Sequence, residues 1–152
     1  MNTLYYTIPM PHSRVVLTAD HAGFVLKEEI KRHLQSQGIN VVDVSEPFEE
    51  GNDYPPIIRK GCDAVLKEGI PGIVFGGSGN GEAMAANKVR GIRAAVGYSV
   101  ETARLARAHN DANVLSIGAR FIDTKLAMAM VDIFLSSAFE GGRHAQRVTD
   151  LE

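Results

Sequence analysis

The sequence is poor in residues that crosslink a fold. Among its 152 residues only Cys62 is a cysteine, so an internal disulfide cannot form and no cysteine pair or cluster has zinc-ligand spacing. Cys62 falls on the apolar face of a predicted helix, where we expect it to be a core residue. The near absence of cysteine favours a reducing, cytoplasmic setting.

Long apolar runs and charge of one sign are also lacking. No stretch approaches the roughly 20 apolar residues that a bilayer requires, and no charged N-terminal region precedes an apolar core and a cleavage site. The 16 basic and 18 acidic residues are interspersed and give a net charge of −2, which argues against nucleic acid or an anionic membrane as partner. We expect a soluble protein that binds a small molecule.

Strands and helices alternate along the chain. With 45% hydrophobic residues the chain can form one domain with a core, which we assign to residues 14–152, while residues 1–13 are interpreted as an N-terminal extension. Short β-branched runs alternate with amphipathic segments, the pattern of a parallel sheet covered on both faces. The predicted fold is a three-layer, doubly wound (Rossmann-like) α/β domain with five strands, at residues 15–18, 40–44, 72–75, 94–97 and 114–117.

Ligands of doubly wound sheets bind beyond the carboxyl ends of the strands. That rule selects four places along this chain. They are Asp20 and His21 after the first strand, Tyr54 after the second, the glycine loop after the third, and Arg120 after the fifth.

The glycine loop, residues 76–81, is the most informative segment. Four glycines, at 76, 77, 79 and 81, let the backbone approach a ligand and turn N–H groups toward negative charge, and Glu82 follows in the first helical turn. The loop is not a P-loop, because the nearest lysine, Lys88, lies two turns into the helix, and the third glycine of a dinucleotide motif would fall at Glu82. A tight turn capped by a solvated glutamate remains the alternative.

Asp20, His21 and Tyr54 are candidates with structural alternatives. Asp20 and His21 place two titratable groups at the ligand edge, but an Asp-His pair is also a common cap for the following helix. Tyr54 could contact a ligand or be a surface-packing residue. These alternatives stay open from the residues alone.

Two further candidate pairs lie in the second half of the chain. His109 and Asn110 end a predicted helix, where the helix dipole stabilises a charged histidine and a simple C-cap is the alternative. Arg143 and Arg147 are spaced to share one helix face and could hold a phosphate, although a solvated basic tail is the usual explanation for such a pair and is preferred on this pattern alone.

From residue 14 to residue 147 the sequence resembles the type B ribose-5-phosphate isomerases and their sugar-phosphate isomerase relatives. The resemblance rests on several motifs spread along the chain. They are Ala19-Asp20-His21-Ala22-Gly23, Asp53-Tyr54-Pro55, Gly77-Ser78-Gly79, Gly91-Ile92-Arg93-Ala94, Ala106-Arg107-Ala108-His109-Asn110, Ile117-Gly118-Ala119-Arg120 and the pair Arg143 and Arg147.

The resemblance implies aldose–ketose isomerisation of a sugar phosphate through a cis-enediolate, with no cofactor and no metal. It also implies a role for each candidate. Ser78 and the amides of the glycine loop, including Gly77, Gly79 and Gly81, would stabilise the oxyanion. His109 would assist ring opening, and Asn110 would contact sugar hydroxyls. Phosphate would bind His21, Arg143 and Arg147, while Asp20, Tyr54 and Arg120 would support the sugar end.

The sequence departs from many family members at one position. Where they carry a cysteine base, this chain has Gly76, and it follows instead the branch in which a glutamate is the base, which assigns the proton transfer to Glu82. An ordinary glutamate is a weak base, so a partly dry pocket that raises its pKa would suit the role.

The family resemblance further implies a homodimer with active sites shared between subunits, or a tetramer, in which His109 and Asn110 reach the partner's glycine loop. Ribose 5-phosphate is the expected substrate. The alternatives are another sugar phosphate (erythrulose 4-phosphate, allose 6-phosphate or galactose 6-phosphate), a non-catalytic sugar-phosphate binding module, and a flavodoxin-like nucleotide or flavin binder.

Overall fold

The structure, a computed structural model, describes residues 11–45, 48 and 50–152. Its five strands form one parallel sheet in the order β2-β1-β3-β5-β4. The strands are β1 (Arg14–Ala19), β2 (Asn40–Asp43), β3 (Gly72–Gly76), β4 (Ala94–Gly97) and β5 (Val114–Gly118). The prediction of a single-domain, five-stranded parallel α/β fold is confirmed, with each strand end within one residue of its expected position. Most of the predicted extension lies outside the described residues, so that assignment stays a prediction.

Six helices connect and cover the strands. They are α1 (Phe24–Ser36), α2 (Tyr54–Glu68), α3 (Asn80–Asn87), α4 (Val100–Asn110), α5 (Thr124–Ser136) and α6 (Arg143–Asp150). Within the described residues, none of these helices is both long and apolar enough to span a membrane.

The core lies on both faces of the sheet because alternate strand residues point in opposite directions. One cluster packs α1, α4 and α5 against side chains such as Leu17 and Phe75, and the other packs α2 and α3 against Val16 and Val74. Cys62 belongs to the second cluster. Burial, and to a lesser extent the charge of Asp63, raise the pKa of its thiol to about 12. The prediction that Cys62 is a core residue is confirmed.

Several helix ends follow local sequence signals. Ser99 caps α4 in a capping box with Thr102, whose amide it accepts at 3.1 Å, and Asp123 caps α5 through the amide of Leu126 at 2.8 Å. Gly69 ends α2 with a φ of +65°, a conformation that costs glycine little. These signals set the starts of α4 and α5 and the end of α2.

Lys27 is a feature that helical periodicity does not anticipate. Its side chain is only 2% exposed, and Nζ lies 2.8 Å from Asp43 Oδ2 and 2.9 Å from Glu28 Oε1. Burial works to raise the pKa of Asp43, but hydrogen bonds from Lys27, Ser45 and Lys31 outweigh it and hold that pKa below its usual value. The ion pair ties α1 to the end of β2.

Candidate active site

An open cavity of about 320 Å³ lies at the carboxyl edge of the sheet. Its lining comes from the loops that follow β1, β2, β3 and β5, so the sheet-edge rule gathers the residues as predicted. The lining residues are Asp20, His21, Ala22, Tyr54, Gly77, Ser78, Gly81, Glu82 and Arg120.

The glycine loop is fastened to the start of the loop after β5. Gly76 and Gly77 carbonyls accept the amides of Ala119 and Arg120 at 2.8 and 3.1 Å, and Ser116 Oγ donates to the Gly79 carbonyl at 2.7 Å. Gly79 has a φ of +82°, which allows the sharp turn into α3. The loop therefore has a fixed shape before any ligand binds.

Ser78 is the exposed residue at the centre of this loop. Its Oγ accepts the amide of Asn80 at 3.2 Å, which leaves the hydroxyl proton free to donate into the cavity. The amide of Gly79, by contrast, acts on the Glu82 carboxylate and lowers its pKa. The Ser78 hydroxyl therefore suits the role of oxyanion donor better than the Gly79 amide does.

Glu82 is a buried carboxylic acid at the floor of the cavity, with 4% of its surface exposed. Burial is the main cause that raises its pKa, and a hydrogen bond to Asp20 and the charge of Asp20 raise it further. The amides of Glu82 and Gly79 bind the carboxylate and offset part of this rise. The burial of Glu82 and the direction of its pKa shift agree with the expectation of a partly dry pocket.

Gly76 leaves the space that the Glu82 carboxyl occupies. A Cβ atom built on Gly76 would overlap Oε1 and Cδ of Glu82. A side chain at position 76 and the carboxyl of residue 82 therefore compete for one volume. This explains in physical terms why a cysteine at 76 and a glutamate at 82 would be alternative bases.

Asp20 and His21 are both held by neighbouring groups. Asp20 is 5% exposed and accepts the amide of Gly23 at 3.0 Å, so it caps the turn before α1 as well as bonding to Glu82. His21 is bonded through its amide and its Nδ1 to Asn52 Oδ1, at 3.0 and 3.1 Å. Asn52 was not singled out from the sequence, because an asparagine in a loop carries no pattern that marks it.

Tyr54 and Arg120 cover two sides of the loop. Tyr54 begins α2 and is 36% exposed, and a Cβ added to Gly81 would lie 2.6 Å from its Cζ and Oη atoms. A Cβ on Gly77 would lie 3.0 Å from Arg120 Nη1. Both glycines thus permit close approach of a polar side chain to the loop backbone.

The remaining candidates, His109, Asn110, Arg143 and Arg147, do not line this cavity. Helix α4 ends at Asn110, just before β5 begins, so His109 and Asn110 lie at the amino edge of the sheet. β5 has five residues, which at about 3.3 Å each place the two edges about 15 Å apart. Within one chain the two sets of residues are therefore separate.

A second polar cluster forms at that amino edge. The rings of His109 and His144 stack at 4.2 Å with 13° between their planes, and His109 Nε2 lies 3.6 Å from Glu140 Oε2. Arg143 and Arg147 lie one turn apart on α6 and are exposed. Glu140 and His144 carry no pattern in the sequence that marks them, since their contact with His109 depends on how α6 folds back against α4.

His109, Glu140 and His144 form the one group of possible metal ligands in the part of the chain that the structure describes, with ligand atoms within 4.8 Å of one another. Glu140 also forms an ion pair with Arg104, in which Arg104 Nη1 lies 3.9 Å from Glu140 Oε1. The charges of Arg143 and Arg147 also act on His144. This positive surrounding favours an anion over a cation at the amino edge.

Fold and cleft together define an α/β protein with a buried acid of raised pKa beside a hydroxyl donor, an arrangement suited to moving a proton next to a carbonyl group. The family model described as ribose/galactose isomerase matches residues 15–151. The chain belongs to that family, which confirms the resemblance seen in the sequence.

Individual relatives cover almost the whole chain. The chain is 44% identical over 142 residues to ribose-5-phosphate isomerase B of Mycobacterium leprae. The aligned residues cover 91% of this chain and 88% of that protein. It is 42% identical over 136 residues to the Escherichia coli protein of the same name, covering 89% and 91%.

Solved structures show the same fold. A ribose 5-phosphate isomerase from Thermotoga maritima superposes with a TM-score of 0.88 at 42% identity, covering 91% of this chain and 96% of that one. Ribose-5-phosphate isomerase B from Mycoplasma genitalium, solved with bound ribulose-5-phosphate, gives a TM-score of 0.86 at 40% identity over 91% and 93% of the two chains.

Proposed function

We propose that this protein is an aldose–ketose isomerase that interconverts ribose 5-phosphate and ribulose 5-phosphate. The observation that carries the proposal is the buried Glu82, with its raised pKa, beside Ser78 in the cavity at the carboxyl edge. Relatives that cover about nine-tenths of the chain are named for this reaction, which supports the substrate. We also place the reaction in the cytoplasm, a reducing setting that suits a chain whose one cysteine is free.

Glu82 acts as the base in this mechanism. Its carboxylate removes the proton from C2 of the open-chain aldose, and the electron pair of that bond forms the C1–C2 double bond while the carbonyl oxygen at C1 becomes an oxyanion. The Ser78 hydroxyl donates a hydrogen bond to the developing charge. Glu82 then returns the proton to C1, and a proton moves from the O2 hydroxyl to O1, which gives the ketose without net change in protons or electrons.

The amino-edge cluster completes the site from a partner subunit in this proposal. Because the amino and carboxyl edges of the sheet are about 15 Å apart, as the five residues of β5 indicate, His109 can assist ring opening only in another copy. A two-fold homodimer places His109 and Asn110 of each chain over the other chain's cavity. Arg143 and Arg147 then bind the phosphate together with His21 from the first chain, and Asp20, Tyr54 and Arg120 hold the sugar.

The experiment that tests this function is a panel of four-, five- and six-carbon sugar phosphates, assayed for isomerisation and for exchange of the carbon-bound proton with solvent. We expect ribose 5-phosphate to give the highest kcat/KM, with solvent exchange at C2. A higher kcat/KM for a four- or six-carbon substrate would reassign the substrate while keeping the chemistry. Binding without isomerisation or exchange would replace the enzyme with a sugar-phosphate binding protein.

A further inference from the structure

Two described residues between β2 and α2, Phe48 and Asn52, contact the segment that follows β1. Phe48 packs edge-on against Phe24, with ring centroids 5.6 Å apart. Asn52 Oδ1 accepts the His21 amide at 3.0 Å and lies 3.1 Å from His21 Nδ1. Of these two contacts, the pair of bonds from Asn52 is the one that holds His21.

The two bonds of Asn52 determine the proton positions on His21. A backbone N–H can only donate, so the Asn52 atom that meets the His21 amide must be the oxygen and not the NH2 group. A carbonyl oxygen can only accept. The His21 Nδ1 that lies against the same oxygen must therefore carry a proton.

We propose that Asn52 is a positioning residue that holds His21 as the Nδ1–H tautomer and presents Nε2 to the ligand. His21 lines the cavity, and with Nδ1 bonded to Asn52 the ring can meet a ligand only through Nε2. Neutral Nε2 accepts a hydrogen bond from a sugar hydroxyl, and protonated Nε2 donates to a phosphate oxygen. The part of this inference that concerns phosphate rests on the proposed function.

The tautomer can be measured on the wild-type protein without substrate. Long-range proton–nitrogen NMR correlations of protein labelled with ¹⁵N histidine, recorded where the rings are neutral, distinguish the two tautomers. His21→Gln identifies the His21 signals among those of the five histidines. We expect the Nδ1–H pattern, and an Nε2–H pattern for His21 would overturn the proposal whether or not the protein is an isomerase.

Three variants then connect the tautomer to binding. Asn52→Ala removes the acceptor, and we expect a mixture of tautomers and a rise in KM of about threefold to tenfold with little change in kcat, as for one lost hydrogen bond. Asn52→Asp keeps an oxygen that accepts both bonds and should retain the Nδ1–H tautomer. Asn40→Ala, an exposed asparagine at the opposite edge of the sheet, is the matched control.

Each result decides something. An Asn52→Ala protein that keeps the pure Nδ1–H form would overturn the positioning role, and so would an Asn52→Asp protein that loses it. An altered tautomer with unchanged KM would remove His21 from ligand binding while keeping the positioning role. Thermal unfolding of each variant shows whether the comparison is made on folded protein.

Discussion

The carboxyl-edge cavity and the amino-edge cluster hold similar kinds of residues in opposite conditions. At the carboxyl edge Glu82 and Asp20 are almost fully buried and share a hydrogen bond. At the amino edge Arg143 and Arg147 are exposed and Glu140 is exposed beside His109. In the first region, burial raises the pKa of a carboxyl group. In the second region, the charged side chains are exposed to solvent. The difference fits the proposal that Glu82 acts within its own chain, while the amino-edge cluster acts on a ligand held by a partner chain.

The strongest way to break this comparison is to remove the base from the buried region. We expect Glu82→Gln to lower kcat by about two to four orders of magnitude while KM changes little, because the amide cannot accept a proton. Steady-state kinetics with ribose 5-phosphate measure this. Glu68→Gln, an exposed acid paired with Arg14, is the control and should retain wild-type kcat. An active Glu82→Gln enzyme would sink the assignment of the base.

Mixing two inactive variants tests whether the two regions come from different chains. In a heterodimer of Glu82→Gln and His109→Asn, one of the two shared sites has both natural residues. Random pairing of equal amounts should therefore restore about a quarter of wild-type activity from two nearly inactive proteins, if the dimer is symmetric. The measurement is activity after joint refolding or co-expression.

The control for that mixture is Glu82→Gln combined with a chain that carries both substitutions. That pair offers no site with both Glu82 and His109, so activity should not recover. Absence of recovery in the first mixture as well, with dimers present, would contradict sharing of the site between chains.

The charge of the exposed region gives a smaller effect. Arg147→Ala should raise KM for phosphorylated sugars by about tenfold, in the range expected for loss of one charge-assisted hydrogen bond, and leave kcat nearly unchanged. Gln146→Ala, the neighbouring exposed residue on α6, is the matched control. An Arg147→Ala enzyme with normal KM would remove this residue from the phosphate site.

Much of the carboxyl-edge cavity can be predicted from sequence. The strands are short β-branched runs, and the topology rule then brings Asp20, Tyr54, Glu82 and Arg120 to one edge, where the structure places them. Asn52 escapes prediction because its partner is 31 residues away in sequence. Contacts of this kind depend on tertiary packing and leave no local pattern.

The amino edge is predictable only in part. The helical spacing of Arg143 and Arg147 is correct, and so is the position of His109 at a helix end. The stack of His109 on His144 could not be derived, because it requires the turn before α6 to direct that helix back onto α4. Buried Lys27 likewise follows from tertiary packing, since lysine is normally exposed.

The smallest expected effect is a pH-dependent gain in stability at the buried acid. Because folding raises the pKa of Glu82 above its usual value of 4.5, this group favours the folded state at low pH, and that contribution is lost as the pH rises through the folded pKa. Glu82→Gln resembles the protonated acid at every pH. At a pH below 4.5, the usual pKa of glutamate, the melting temperature of Glu82→Gln should match that of the wild type. Near neutral pH it should exceed the wild-type melting temperature by a few degrees. Thermal unfolding from acid to neutral pH measures the difference, with Glu68→Gln as the exposed control. If Glu82→Gln were instead less stable than the wild type at neutral pH, the amides around the carboxylate would stabilise it more than burial destabilises it. The buried region would then differ less from the exposed region than its geometry indicates.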